Sequence, residues 1–239
     1  GQTHCIQPRP GYRRHGGGII VTARGSVKEA TDANSCFSSP DRSVSPRLYL
    51  ASTSRWRAAL LGRLGLPFLQ EAPRVAEDPR PGEAPASRAL RLAGEKAGAV
   101  CARHPDAWVL GSDQVAECDG HILDKPGDSA RCVAQLQLCS GRAARFHTAV
   151  TLRHAASGFT TEHVDCTTVR FRTLAPAEVT RYVELEQPFD CAGGFRCEGL
   201  GIVLFESIEC RDPTALVGLP LIWVAAALRQ AGLDPLAPA

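Results

Sequence analysis

Two short apolar runs, Leu48-Tyr49-Leu50-Ala51 and Trp108-Val109-Leu110, each break off into small polar residues, Ser52-Thr53-Ser54 and Gly111-Ser112-Asp113-Gln114. Runs this short, bounded by turn-forming residues, read as strands buried on both faces, and such strands belong to sheets covered by helices. Helical patterns follow. Ala58, Leu60, Leu61 and Leu64 recur at helical spacing until Gly65 and Pro67 stop them. A second helix is expected from about Ser87 to His104, others from Asp128 to Leu138, from Ala175-Pro176 to Leu185 and from Pro220 to Gln230. Partial alternation predicts strands at Arg145 to Leu152 and Thr161 to Phe171. Glu71 to Pro85 reads as a loop rich in Pro and acidic residues. The glycine-rich stretch from Ala192 to Gly201 runs into the apolar Ile202 to Phe205. Asp119-Gly120 is a hairpin signal, which puts Asp113 at a strand end beside a tight reversal. The elements do not alternate cleanly, so the expected fold class is α/β, a mixed twisted sheet with flanking helices.

Charge and cysteine content narrow the partners. Residues 47–239 hold 21 basic and 22 acidic side chains, which gives no electrostatic reason to expect long nucleic acid. No apolar run approaches the length of a membrane span. A small anion in a local basic site is the expected partner, and a homodimer is left open. The ten cysteines contain no CxxC pair, so zinc ribbons and thioredoxin-like sites lack support; reduced, buried thiols in a cytoplasmic protein are expected. Residues 1–46, with Gly16-Gly17-Gly18 and scattered Arg and Ser, bury too little apolar area and are expected to be a disordered extension ahead of one domain, 47–239. Methionine is absent, which is expected of a chain that lost its initiator or is a fragment.

The familiar sites fail one by one. No GxxxxGK[ST] is present, Leu204 stands where a dinucleotide fingerprint starting at Gly199 needs its third glycine, and the seven histidines show no ligand spacing. What remains is a set of charged residues in loops and at element ends. Ser52, Ser54 and Arg57 at the first strand-to-helix turn suit a phosphate, although hydroxyls there also serve as ordinary helix caps. Lys96 on the second helix and Lys125 after the hairpin read singly as solvated charges. Asp113 is placed either to bind a divalent cation and orient a water or merely to cap a turn.

Taken together, these residues resemble the Maf family of nucleoside triphosphate pyrophosphatases. The resemblance runs through Leu50 to Arg57, Glu95-Lys96-Ala97, Gly111 to Val115, Lys125-Pro126, Ser140-Gly141, Cys191-Ala192-Gly193, Glu198 to Gly201 and Val217 to Pro220, and covers about residues 47–236. It implies a Maf- and ITPase-like fold of two lobes around a nucleotide-binding cleft. It also implies hydrolysis of a nucleoside triphosphate to monophosphate and diphosphate with a divalent cation, Mg2+ or Mn2+. Carried over by motif, Asp113 becomes the general base and a metal ligand. Ser52, Ser54, Arg57, Lys96 and Lys125 handle phosphate, and Glu77 is a second candidate metal ligand.

Members of the family acting on thymidine and uridine triphosphates tend to carry Arg, Thr and Gln where this chain has Trp56, Gln114 and Glu198, which resemble the branch acting on 7-methylguanosine triphosphate. Chemistry supports the distinction. Methylation at N7 makes the purine a flat cation, which an indole face attracts by about 0.5–2 kcal/mol. Glu198 can accept from the two adjacent donors of the guanine pairing edge, and Gln114 can supply one donor and one acceptor. Such an activity keeps modified nucleotides out of nucleic acids. The chain departs from the family pattern where Arg55 replaces a usual Pro, Ala58 a second Arg and Asp124 a common Gly; of a usual acidic pair only Glu77 is present. The departures leave two alternatives, a nucleotide-binding regulator of cell division with little catalysis and a pyrophosphatase acting on dTTP, UTP or other modified nucleotides.

Overall fold

The computed structural model describes residues 48–237, so the expectations for residues 1–46 and for the extent of the domain at Arg47 fall outside the described part. Strand β1 (Leu48–Ala51) leads through the Ser52 to Ser54 turn into helix α1 (Arg55–Gly62), and β2 (Leu69–Glu71) follows. Helix α2 (Pro85–Cys101) precedes β3 (Trp108–Cys118) and the short β4 (His121–Ile122). Helix α3 (Ser129–Cys139), strands β5 (Ala143–His154) and β6 (Phe159–Phe171) and helix α4 (Pro176–Glu186) come next, then β7 (Phe205–Glu209) and α5 (Leu221–Gln230). The sheet runs β2-β1-β3-β5-β6-β7, with β4 paired to the far end of β3. Strand β1 is parallel to β2 and β3, and every other pairing is antiparallel. The expected α/β fold with a mixed sheet and flanking helices is the fold observed.

Several local expectations need correction. Asp113 does not stand at a strand end, because β3 continues to Cys118, held by β5 along its whole length from Trp108↔His154 to Cys118↔Ala144. Polar side chains did not end the strand because the hydrogen bonds that carry it come from the backbone of β5. The strand that does end is β1, whose last pair is Ala51↔Gly111. Beyond it the edge of β3 is free of β1, and residues Asp113 to Ala116 border an opening. Strand β2 ends at Glu71, the first residue of what reads as a loop, and β7 was hidden by the exposed polar residues Glu206, Ser207 and Glu209 of an edge strand. The hairpin expectation holds: Asp119 and Gly120 both have positive φ, 51° and 78°.

Two large apolar clusters stand along the long strands. One gathers Leu50, Leu61, Leu110 and Leu152 with Val224 and Leu228 of α5. The other gathers Leu136, Phe146, Phe171 and Phe195 with Tyr182 and Val183 of α4. Each fully buried Leu or Phe contributes about 1.5–3 kcal/mol of transfer free energy. Between the clusters lies a polar row, Ser112, Gln114 and Thr148, whose side chains donate to the carbonyls of residues 215–218. Of the described cysteines, Cys101, Cys118, Cys132 and Cys139 are buried as expected, whereas Cys166 and Cys210 are exposed and Cys191 and Cys197 half-buried.

Candidate active site

The opening beside β3 is a cavity of about 890 Å³. All ten residues singled out in the sequence line it: Ser52, Ser54, Trp56, Arg57, Glu77, Lys96, Asp113, Gln114, Lys125 and Glu198. They arrive from six segments of the chain, which meet because β1 stops where β3 does not.

At the first turn Ser54 caps α1, its Oγ accepting from Arg57 N at 3.4 Å, and the buried Ser52 Oγ accepts from Ser54 N at 3.1 Å. Ser54 is therefore a helix cap and Ser52 closes the turn before it, and each retains its own O–H donor for the cavity. Arg57 differs from a free phosphate ligand. Its Nε donates to Gly218 O at 3.2 Å and its Nη1 to Ser112 O at 2.9 Å, so it bolts the 215–218 loop to β3 and keeps only its remaining N–H groups for an anion. Gly218, at φ 125°, is where this works: a Cβ there would meet Arg57 Nε at 3.2 Å. Desolvation lowers the Arg57 pKa against the opposing pull of Asp113 and Glu77.

Helix α2 lies on β3 at very close range. A Cβ on Gly111 would run into the Ala93 carbonyl and come within 2.7 Å of Ala97 N. That approach sets Lys96 beside Asp113, two residues along the strand. Lys96, only 6% exposed, bridges two carboxylates, with Nζ 2.6 Å from Asp113 Oδ1 and 2.6 Å from Glu77 Oε1. Partial burial works against the Glu77 carboxylate, but the hydrogen bond and charge of Lys96, with Lys125 and Arg57 beyond, outweigh it and hold its pKa below the usual range. Two carboxylates over one ammonium leave an excess of negative charge and oxygen atoms not bonded to Lys96, a donor set suited to a hard divalent cation. Among the described residues no group of three or more metal-ligating side chains occurs, so such an ion would complete its shell with water and phosphate oxygens. Lys125 is exposed at the rim, with no ion-pair partner among the described residues.

Trp56 and Glu198 line the same cavity. The Arg55 guanidinium lies over the Trp56 ring, 4.6 Å from its centroid, and Glu198 is exposed, its Oε2 accepting from Cys197 Sγ at 3.2 Å. Burial, with Glu198 adding to it, pushes the Cys197 thiol up to about 12, so it is no nucleophile at neutral pH. Gln114 is committed further than its sequence suggests. Its Nε2 faces Thr148 Oγ1 at 2.9 Å and the carbonyls of Ala215 and Leu216 at 3.2 and 3.1 Å. Those acceptors fix the amide orientation, and only its Oε1 remains to face a ligand, as an acceptor.

The Maf-like protein family matches residues 47–231 of this sequence. The chain belongs to the Maf family. The 7-methyl-GTP pyrophosphatase of Xanthomonas campestris pv. campestris (strain 8004) is 56% identical over 189 residues, covering 79% of this chain and 98% of that protein. The 7-methyl-GTP pyrophosphatase of Bordetella pertussis (strain Tohama I) is 50% identical over 194 residues, covering 81% and 96%. Among solved structures, the Staphylococcus aureus Ham1 protein aligns with a TM-score of 0.39 at 12% identity over 52% of this chain and 71% of that one, a likeness too slight to carry an argument.

Within this Maf-family cavity the departures from the usual pattern have partners. Asp124 stands 4.0 Å from Arg88 Nη1, and Arg88 Nη2 donates to Glu77 O at 3.2 Å, so one arginine ties the Glu77 loop to the segment carrying Lys125. Arg55 pairs with Asp190 at 3.9 Å. Arg88, Asp190 and Arg196 line the cavity and were missed in the sequence; Arg55, noted there as a departure, lines it too. For Arg88 a signal existed, since it lies eight residues before Lys96 and so about two helical turns away on the same face. For Asp190 and Arg196 none did.

Proposed function

We propose that this protein hydrolyses 7-methyl-GTP to 7-methyl-GMP and diphosphate, and so keeps a modified nucleotide out of nucleic acids. The observation that carries the reading is that Trp56 and Glu198 open on the same cavity as the Asp113, Lys96 and Glu77 cluster. A flat cationic purine would lie on the indole while its donor edge meets the Glu198 carboxylate and the Gln114 acceptor. A uracil would instead turn carbonyl oxygens toward Glu198, which like partial charges disfavour.

The triphosphate would then extend toward the hydroxyls of Ser52 and Ser54, the unspent N–H groups of Arg57 and the ammonium groups of Lys96 and Lys125. Asp113 would take a proton from water as the water oxygen bonds to the α-phosphorus. The bond from that phosphorus to the α,β-bridging oxygen breaks, and diphosphate leaves carrying that oxygen. A bound Mg2+ or Mn2+, held by Asp113 and Glu77, would neutralise charge on the phosphates. This reading places the protein in the cytoplasm, where its thiols stay reduced.

Incubating the purified protein with 7-methyl-GTP and either cation should yield one diphosphate for each 7-methyl-GMP. Release of single phosphates, or no product with either metal, contradicts the proposal.

A further inference from the structure

The Glu198 side chain is exposed, so the direction of its carboxylate is set by the turn that carries it. That turn is pinned from helix α4, where Tyr182 and Glu186 stand four residues apart on one face. The Tyr182 hydroxyl accepts from Arg196 N at 3.2 Å, and the Glu186 carbonyl accepts from Arg196 Nη1 at 3.2 Å. The Glu186 carboxylate then spans the turn, Oε1 accepting from Arg196 Nη1 at 3.4 Å and Oε2 from Leu200 N at 3.0 Å. Arg196 and Leu200 lie two residues to either side of Glu198. Two glycines let the chain close this tightly: a Cβ on Gly199 would come within 2.8 Å of Glu186 Oε1, and one on Gly201 would run into the Arg196 carbonyl. The Glu186 side chain is 18% exposed, which shields these bonds from exchange with water.

We propose that Glu186 is a positioning residue for base selection: it fixes the turn from Arg196 to Leu200 and so aims the Glu198 carboxylate at the base. The inference rests on the functional reading above and deepens it. Glu198 accepts from both donors of a guanine edge only while its two oxygens face them, and a turn ordered beforehand spares the ligand the cost of ordering it. A pyrimidine without adjacent donors draws nothing from an aimed carboxylate. The ordering therefore favours one class of base and does not cancel between the two. Glu186 is not among the residues lining the cavity, so it acts only through Glu198.

The test compares kcat/KM for 7-methyl-GTP, GTP and UTP in wild type, Glu186→Gln and Glu186→Ala, each repeated in a Glu198→Ala background. Glu186→Ala should lower kcat/KM for 7-methyl-GTP and GTP, which share the donor edge, by about two- to ten-fold, the cost of re-ordering one side chain, while UTP stays level or gains. Glu186→Gln, which keeps one acceptor, should lose less. With no carboxylate to aim, the Glu198→Ala background should show no such split. An equal fall on all three nucleotides marks a merely structural residue and overturns the proposal, as does no change or a split that survives in Glu198→Ala. If Glu186→Ala does not fold, Glu186→Gln decides by the same split. Hydrogen exchange at the Leu200 amide needs no substrate and should be faster in the Glu186 variants than in wild type. Should wild type fail to prefer 7-methyl-GTP over UTP, the functional reading falls, and the exchange rate alone then decides: acceleration keeps Glu186 as the pin of the turn, and an unchanged rate overturns it.

Discussion

Around Asp113 the cavity wall is a helix pressed on a strand so closely that Gly111 has no room for a Cβ, and Lys96 and Asp113 are 6% and 7% exposed. Around Trp56 and Glu198 the wall is a first helical turn facing an irregular segment, and the charged groups Arg55, Asp190 and Glu198 are exposed. The first region has its charges fixed by neighbours before any ligand arrives, which is what developing charge on a phosphate requires. The second region holds side chains that can exchange partners, which is what choosing among bases requires. Chemistry and choice are thus built on surfaces of different rigidity within one cavity.

The sharpest way to break this contrast is Asp113→Asn. Turnover should fall about 10²- to 10⁴-fold while a calorimetric titration still finds nucleotide binding; retention of turnover would remove Asp113 from the chemistry. Next comes Glu198→Gln, for which kcat/KM on 7-methyl-GTP should fall about ten- to hundred-fold, the value of a charge-assisted pair, while the thermal midpoint stays near wild type. A large loss of stability instead would show that the base end is not the adaptable surface described. Gly111→Ala probes the rigid end structurally. Overpacking of α2 on β3 should cost about 1–3 kcal/mol in chemical denaturation and lower the melting temperature by several degrees.

The smallest effect expected is electrostatic. The folded-state pKa of Glu77 lies below its unfolded value, so its contribution to stability is present above the ordinary carboxylate range and is lost as pH falls through the folded value. The melting temperature of Glu77→Gln should therefore lie below wild type near neutral pH and converge with it as pH falls through that lowered folded-state value. A gap that persists in acid would assign the Glu77 contribution to packing rather than charge.

Much of the rigid end was legible in the sequence because its signals are local. The capping pattern at Ser54 and the Asp119-Gly120 turn act within a few residues, whereas Lys96, which reads singly as a solvated charge, is buried by the packing of α2 on β3. The length of β3 was not legible, since its continuation past Gly111 depends on β5, whose partner residues lie 26 to 38 positions away. The same holds for Arg57, whose carbonyl partner Gly218 is 161 residues distant, and for the placement of Asp190 beside Arg55. Side-chain type announced a phosphate site, but only tertiary pairing disclosed that Arg57 and Gln114 donate to backbone carbonyls.

The most direct test compares kcat/KM of the wild-type protein for 7-methyl-GTP and for UTP at one Mg2+ concentration. A cavity that seats a flat purine cation between Trp56 and Glu198 should favour 7-methyl-GTP by at least about ten-fold, the worth of one charge-assisted contact. Equal turnover of the two would contradict it.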